Sequence, residues 1–285
     1  MSDRWADWLR AGRDGGSLEQ RRAALEFLGP IRDQILDSVE VKAGELLLDV
    51  GCGDGLVGLG ALDRGATVIF SDISEACLHD CRSIAGDSAT YRLASATDLG
   101  DLSVDVVTTR SVLIYVADKQ RAFDEFFRVL RLGGRISLFE PINRFGLTER
   151  RRTYGFGDVE GIEHLLAKVL AEMDRVEDEA GGLDPMVEFD ERDLVAFAER
   201  AGFEEIRLNL VAEVTNTAWW TTRDWEVFLD SSPNPLAPTF REAMQTALAR
   251  HESEQLTASL RPQVEDGHGT TRLAKAFLTA HKTTA

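Results

Sequence analysis

Asp49, Gly51, Gly53 and Gly55 lie close together in the stretch LLLDVGCGDGLVGLG (46–60), and Asp72 closes the next apolar run. Glycines at alternate positions remove the Cβ atoms that would keep a ligand away from the main chain. Backbone N–H groups at the start of a following helix can then meet polar parts of that ligand. A carboxylate about 20 residues downstream is at the spacing that accepts both hydroxyls of a ribose. The set therefore points to a nucleoside. A dinucleotide site needs G-x-G-x-x-G, whereas the spacing here is G-x-G-x-G, and Asp54 stands where a pyrophosphate would be repelled. A cationic or zwitterionic nucleoside tolerates that acid.

Further along the chain, Arg110 and Ser111 follow a strand-like run and are candidates to touch cofactor or substrate, the alternative being a surface turn. Glu140, Asn143 and Arg144 leave another strand toward the same edge. Arg150, Arg151 and Arg152 make a basic island that reads first as a solvated turn paired with nearby acids, the alternative being that some of them hold an anionic group. Trp219, Trp220 and Trp225, with Phe228, could wall an apolar pocket or pack an insertion. Arg13, in AGRDGG, is either a lid residue or a loop arginine. Only His164 and His268 among the histidines fall in segments that could cover a site. Cys77 and Cys81 would share a helix face, but no further ligand completes a metal set, so they read as small buried apolar residues and no metal is expected.

These residues need elements to position them. ELLLDV, ATVIFSDIS, ATYRLAS, VDVVTTRSV and RISLFEPI read as strands, the first as a doubly covered one. DGLVGLGALDRG reads as a helix whose Gly58 and Gly60 pack closely on the sheet. Ser74 is a plausible N-cap for EACLHDCRSIAG. DKQRAFDEFFRVLRLGG is a helix on the spacing of Phe123, Phe126, Phe127 and Leu130, closed by Gly133–Gly134. DERDLVAFAERAGF is a helix ending at Gly202, and EEIRLNLVAEV is a sixth strand. Alternating βα units make an open α/β sheet that binds ligands beyond its strand carboxyl ends. Asp49, Asp72 and Glu140 all fall there. Residues 144–188 read as loop and helix, with an acidic run, AEMDRVEDEAGG.

LLLDVGCGDG, IFSDIS and LASATDL resemble the first three motifs of class I S-adenosylmethionine-dependent methyltransferases. VDVVTTRSVLIYVAD and RVLRLGGRISLFEP resemble the fourth and fifth strands of the branch that methylates small molecules, including the quinone-biosynthesis, methyltransferase-11 type. The resemblance runs from about 44 to 141. It implies a Rossmann-like doubly wound seven-stranded sheet of order 3-2-1-4-5-7-6, with strand seven antiparallel and supplied by TRLAKAFLTAHK. It also implies S-adenosyl-L-methionine as cofactor, held by Asp49, Gly51, Cys52, Gly53, Asp72, Ile73, Ser95, Ala96, Thr97, Arg110 and Ser111. The family's frequent acid is Ser95 here, its turn proline is Leu132, and a frequent His pair is replaced by Ile114 and Tyr115. Catalytic candidates are His164, Tyr115 and Glu140; substrate candidates are Asn143, Arg144, Trp219 and Trp220. The implied reaction is in-line displacement of the sulfonium methyl by a small-molecule acceptor, anionic or aromatic. The expected organisation is an N-terminal helical lid over 1–43 and a methyltransferase domain over 44–285, with cap insertions at about 144–188 and 215–270.

A net charge of −17 argues against nucleic acid and anionic membranes as partners. No apolar stretch approaches the ~18 residues of a membrane helix. The small, odd number of cysteines fits a reducing cytoplasm. Two other readings stand beside methyl transfer: a non-catalytic nucleoside-binding regulator, and an NAD-dependent oxidoreductase, which lacks its glycine spacing and a Tyr-x-x-x-Lys pair.

Overall fold

A computed structural model describes residues 3–178 and 184–283. The chain begins with α1 (Arg4–Asp7) and α2 (Leu18–Ser38), followed by β1 (Leu46–Val50), α3 (Leu56–Asp63), β2 (Thr67–Asp72), α4 (Glu75–Ala85) and β3 (Ala89–Leu93). Next come β4 (Val104–Arg110), α5 (Lys119–Val129), β5 (Leu130–Pro141), α6 (Leu147–Thr153), α7 (Glu163–Asp178) and α8 (Glu191–Ala201). The last elements are β6 (Glu204–Thr217), α9 (Trp225–Asp230), α10 (Phe240–Ala247), α11 (Arg250–Asp266) and β7 (His268–His281).

The strands form one seven-stranded sheet in the order β3-β2-β1-β4-β5-β7-β6, as the resemblance implies. β1 pairs in parallel with β2 and β4, β2 with β3, and β4 with β5, while β7 runs antiparallel to β5. The strand order reverses direction between β1 and β4, so the ligand crevice of such a sheet falls beyond their carboxyl ends. Among the described residues, no helix is long and apolar enough to cross a membrane.

The chain divides into two units. A sheet unit comprises Phe27–Ile142, Pro185–Val211 and Lys275–Ala285. An insertion unit comprises Met1–Glu26, Asn143–Asp184 and Ala212–Ala274. The N-terminal segment expected to act as one lid thus falls into both.

In the sheet unit, Ile35, Leu36, Leu47, Val57, Ala61, Val68, Phe70 and Val106 bury one face of the strands under α2 and α3. Gly58 is needed for that packing, since a Cβ there would penetrate the Phe70 ring. Gly60 serves a different neighbour from the one expected: it admits Arg32 and Leu36 of α2 rather than the sheet. Ser74 caps α4 by accepting from Cys77 N (3.0 Å), and Gly202 closes α8 in the left-handed conformation. A second correction concerns α5, which stops at Val129 without using its glycines. Leu130 turns to extended backbone (φ −75°, ψ 140°), and Gly133 and Gly134 exchange hydrogen bonds with Lys282 just past β7. A strand pairing distant in sequence overrides the local stop signal.

The insertion unit has its own aromatic core. Tyr154, Phe156, Trp220, Trp225, Phe228 and Phe240 pack with Leu165, Leu166 and Leu260. Phe156 and Trp220 ring centroids are 4.8 Å apart, and Trp225 stacks on Phe228. The tail of the acidic run at 179–182 lies outside the described residues.

Candidate functional site

The glycine turn leaves β1 at Val50 and enters α3 at Leu56. Gly51, Gly53 and Gly55 all have left-handed φ (63°, 52° and 80°), which costs a residue with Cβ about 1–2 kcal/mol each. A Cβ on Gly51 would also overlap Val112, with Cγ1 at 3.1 Å. The turn is tied to the neighbouring strand end: Cys52 N donates to Ser71 O (3.0 Å), and Gly53 N donates to Asp72 Oδ2 (2.9 Å). The other Asp72 oxygen accepts from Ser74 N (2.9 Å). The acid thus stands at the end of β2 against the glycine turn, at the spacing of a carboxylate that accepts ribose hydroxyls.

Beside Asp72, Ile73 is 58% exposed, an apolar surface next to an acid. The 95–97 turn lies alongside, because Ala94 N donates to Asp72 O (3.0 Å). Ser95 Oγ contacts Thr97 Oγ1 at 3.0 Å and accepts from Thr97 N, while Ala96 is buried. Arg110 closes the opposite side, with a guanidinium nitrogen 3.7 Å from Asp54 Oδ1. Ser111 follows with φ 57°. The residues present fit an adenosyl group: a diol acceptor, an apolar side chain beside it, and main chain cleared of Cβ atoms.

Two expected site acids have other work. Asp49 is 2% exposed; it accepts from Gly58 N (2.9 Å) and Thr108 Oγ1 (3.2 Å). It therefore braces the first turn of α3 against β4 rather than presenting an oxygen to a ligand. Burial pushes its carboxyl up to about 7, against the pull of those donors and of Arg110. Glu140, a catalytic candidate, is fully buried and accepts from three successive backbone N–H groups, of Val112, Leu113 and Ile114 (2.9, 2.9 and 3.2 Å). It holds the turn after β4, the one whose Val112 touches Gly51. Burial likewise pushes Glu140 up to about 7. With no exposure and three backbone donors on its carboxylate, it holds this turn and does not reach a substrate. Tyr115 is half-buried in that turn.

Thr108, Val112 and the clamp made by Glu140 escaped the sequence reading. The available signal was an acid inside the apolar strand sequence LFEP, and a threonine in register with Asp49.

The remaining candidates belong to the insertion unit. His164 is exposed on α7, Arg144 is exposed and Asn143 half-buried. Trp220 is in the aromatic core, which removes it as a contact surface. Trp219 is 43% exposed and donates through Nε1 to Tyr154 O (2.8 Å). Arg13 lies over the Trp8 ring, 6.0 Å from its centroid. Among the described residues no cluster of His, Cys, Asp or Glu could hold a metal ion.

Residues 48–138, which carry the glycine turn, Asp72 and the turn held by Glu140, match the family described as "Methyltransferase domain". This segment is a class I methyltransferase domain. Domains of that class take their methyl group from S-adenosyl-L-methionine. A ubiquinone biosynthesis O-methyltransferase of Pseudomonas fluorescens (strain SBW25) is 35% identical over 128 residues, covering 42% of this chain and 54% of that protein. Its counterpart from Pseudomonas syringae pv. tomato is likewise 35% identical over the same shares. The chain thus spans about half the length of the curated relatives it matches. Among solved structures, a putative methyltransferase from Bacillus halodurans C-125 superposes with a TM-score of 0.52 at 17% identity, over 89% of this chain and 99% of that one. The [4+2]-cyclase SpnF superposes at 0.51 and 18% identity, over 90% and 81%. At such identities the methyltransferase domain shares a fold with these structures, and the fold alone hosts more than one chemistry.

Proposed function

We propose that the chain transfers a methyl group from S-adenosyl-L-methionine to a small-molecule acceptor by in-line displacement. The single observation that carries this reading is the placement of the Asp72 carboxylate at the carboxyl end of β2, hydrogen-bonded to Gly53 N of the glycine turn. In this reading Asp72 takes the two ribose hydroxyls, Ile73 and the 95–97 turn flank the base, and the main chain of Gly51–Gly53 lies along the nucleoside. Arg110 and Ser111 face the amino-acid end. The cofactor, when bound, supplies an activated sulfonium methyl and a good leaving group.

The protein's part is alignment and exclusion of water, and alignment alone is worth effective molarities of ~10⁵–10⁸ M. Buried and held by backbone or hydroxyl donors, neither Asp49 nor Glu140 acts as a base in this reading. The acceptor that suits this site carries its own lone pair or an acidic O–H.

Calorimetry with S-adenosylhomocysteine and with NAD tests the cofactor. Heat with the former, lost in Asp72→Asn, supports the reading. Binding of NAD alone, or no heat with S-adenosylhomocysteine at millimolar concentration on folded protein, overturns it. Incubation of the enzyme and isotope-labelled methyl donor with a small-molecule extract, read by mass spectrometry, tests turnover. Binding without any labelled product favours a nucleoside-binding regulator instead.

A further inference from the structure

The 95–97 turn has Ser95 where the class frequently has an acid. Ser95 is hydrogen-bonded within its own turn: its Oγ accepts from Thr97 N (3.2 Å) and lies 3.0 Å from Thr97 Oγ1. Asp98 N donates back to Ser95 O (3.0 Å). A base flanked by this turn therefore meets main chain rather than a carboxylate at Ser95. Main chain discriminates between bases only if it is held in place, because a hydrogen bond weakens steeply once its distance and angle drift.

The hold comes from α5. Arg121, Glu125 and Arg128 fall at i, i+4 and i+7, along one face of that helix. Arg121 Nε donates to Thr97 O (3.2 Å). Glu125 Oε2 accepts from Leu99 N (2.9 Å). Arg128 Nη2 donates to Gly100 O (2.8 Å). Three bonds thus fix residues 97–100, directly after the turn. Glu125 is the centre of the set. It is 4% exposed, takes two hydrogen bonds from Arg128 (2.8 and 2.7 Å), and lies 3.8 Å from a guanidinium nitrogen of Arg121. Both arginines are exposed, so this carboxylate is what draws them toward the loop. Leu99 is fully buried, and its N–H would lose its acceptor out of reach of solvent if Glu125 were truncated.

We infer, on the S-adenosyl-L-methionine reading of the site, that Glu125 is a positioning residue for nucleoside selection: through Thr97, Leu99 and Gly100 it holds the main chain of the 95–97 turn where that chain distinguishes adenine from a base with a different hydrogen-bonding edge. It touches neither cofactor nor substrate and acts through the loop.

The test is calorimetry of the full chain with S-adenosylhomocysteine and with S-inosylhomocysteine, in which a carbonyl replaces the adenine amine and N1 carries a proton. The parent should favour the adenosyl compound by about tenfold or more, the usual cost of an unmatched donor or acceptor. Glu125→Ala should bring the two affinities within about threefold of each other, chiefly by weakening the adenosyl compound. Glu125→Gln, which keeps an acceptor for Leu99 N, should retain part of the preference. Asp124→Asn, on the exposed side of α5, should keep the parent ratio. Hydrogen exchange at Leu99, measured without any ligand, should rise in Glu125→Ala. Circular dichroism confirms that each variant is folded. A general loosening of the fold would weaken both compounds alike and leave their ratio intact. That result, a parent without preference, or parent-like exchange at Leu99 in Glu125→Ala overturns the role of Glu125 and leaves the cofactor reading standing. Binding of neither compound by the folded parent overturns both.

Discussion

Gly51→Ala is the sharpest probe of how the turn is built. Two separate costs arise at this position. The residue holds φ at 63°, which costs a side chain with Cβ about 1–2 kcal/mol. The new methyl would also overlap Val112 Cγ2 and sit 3.1 Å from Cγ1 and 3.3 Å from Cβ, and overpacking of that kind costs about 1–3 kcal/mol. Val112 cannot easily retreat, because its own N–H is held by Glu140 (2.9 Å). The sum is about 2–5 kcal/mol. Val112→Ala removes both γ-methyls and leaves only the 3.3 Å neighbour. On its own it should destabilise by about 1–2 kcal/mol. In the double variant the steric share is relieved while the backbone share remains. A double-mutant cycle by urea unfolding should therefore show favourable coupling of about 1–3 kcal/mol. Calorimetry with S-adenosylhomocysteine should show affinity lost in Gly51→Ala and partly restored in the pair. Additivity within about 0.5 kcal/mol, or wild-type affinity in Gly51→Ala, would refute the contact between the turn and Val112 as the reason for the glycine.

Gly58→Ala should destabilise by about 1–3 kcal/mol, because its methyl enters the space of the buried Phe70 ring; a wild-type urea midpoint would contradict this. Asp49 and Glu140 have folded pKa values of about 7, raised by burial from 3.8 and 4.5. A carboxyl raised in this way binds its proton more tightly in the folded chain. Its stabilisation is complete below the unfolded value and fades as pH rises through about 7, on the order of 3–4 kcal/mol for each group. The urea midpoint should fall between pH 5 and 8, and the Asp49→Asn, Glu140→Gln pair should flatten that slope; a slope unchanged by the two variants would count against it. Glu45 is shifted the other way, its carboxyl lowered by the hydrogen bonds from Arg135, so its contribution is present above its ordinary value and is lost as pH falls. Arg135 also donates to Val39 O (2.6 Å), so Arg135→Lys, which cannot reproduce the fork, should cost about 1–3 kcal/mol; hydrogen exchange at 39–45 reads the loosening, and parent-like protection there would count against the clamp.

The order of elements, the glycine turn and the acid that ends β2 were legible because each is written in neighbouring residues. Apolar runs broken by glycine mark β1 and its turn, Ser74 caps the helix that follows it within a few residues, and the acid that ends β2 sits one βα unit downstream. What the sequence by itself determined is thus the sheet, its ligand edge and the kind of ligand. Tertiary structure alone decided which polar groups are left for chemistry. Asp49 and Glu140 look like ligand acids until Thr108 and the Val112–Ile114 turn, far away along the chain, take their oxygens. The same holds for Gly133–Gly134, drawn into pairing with Lys282, for Trp220, enclosed by the aromatic core, and for Arg151, paired with Asp174 of α7 (3.3 Å). The physical reason is that a polar side chain's role is set by the partner that satisfies it, and the partners here arrive from other elements that only the folded chain brings within hydrogen-bonding reach.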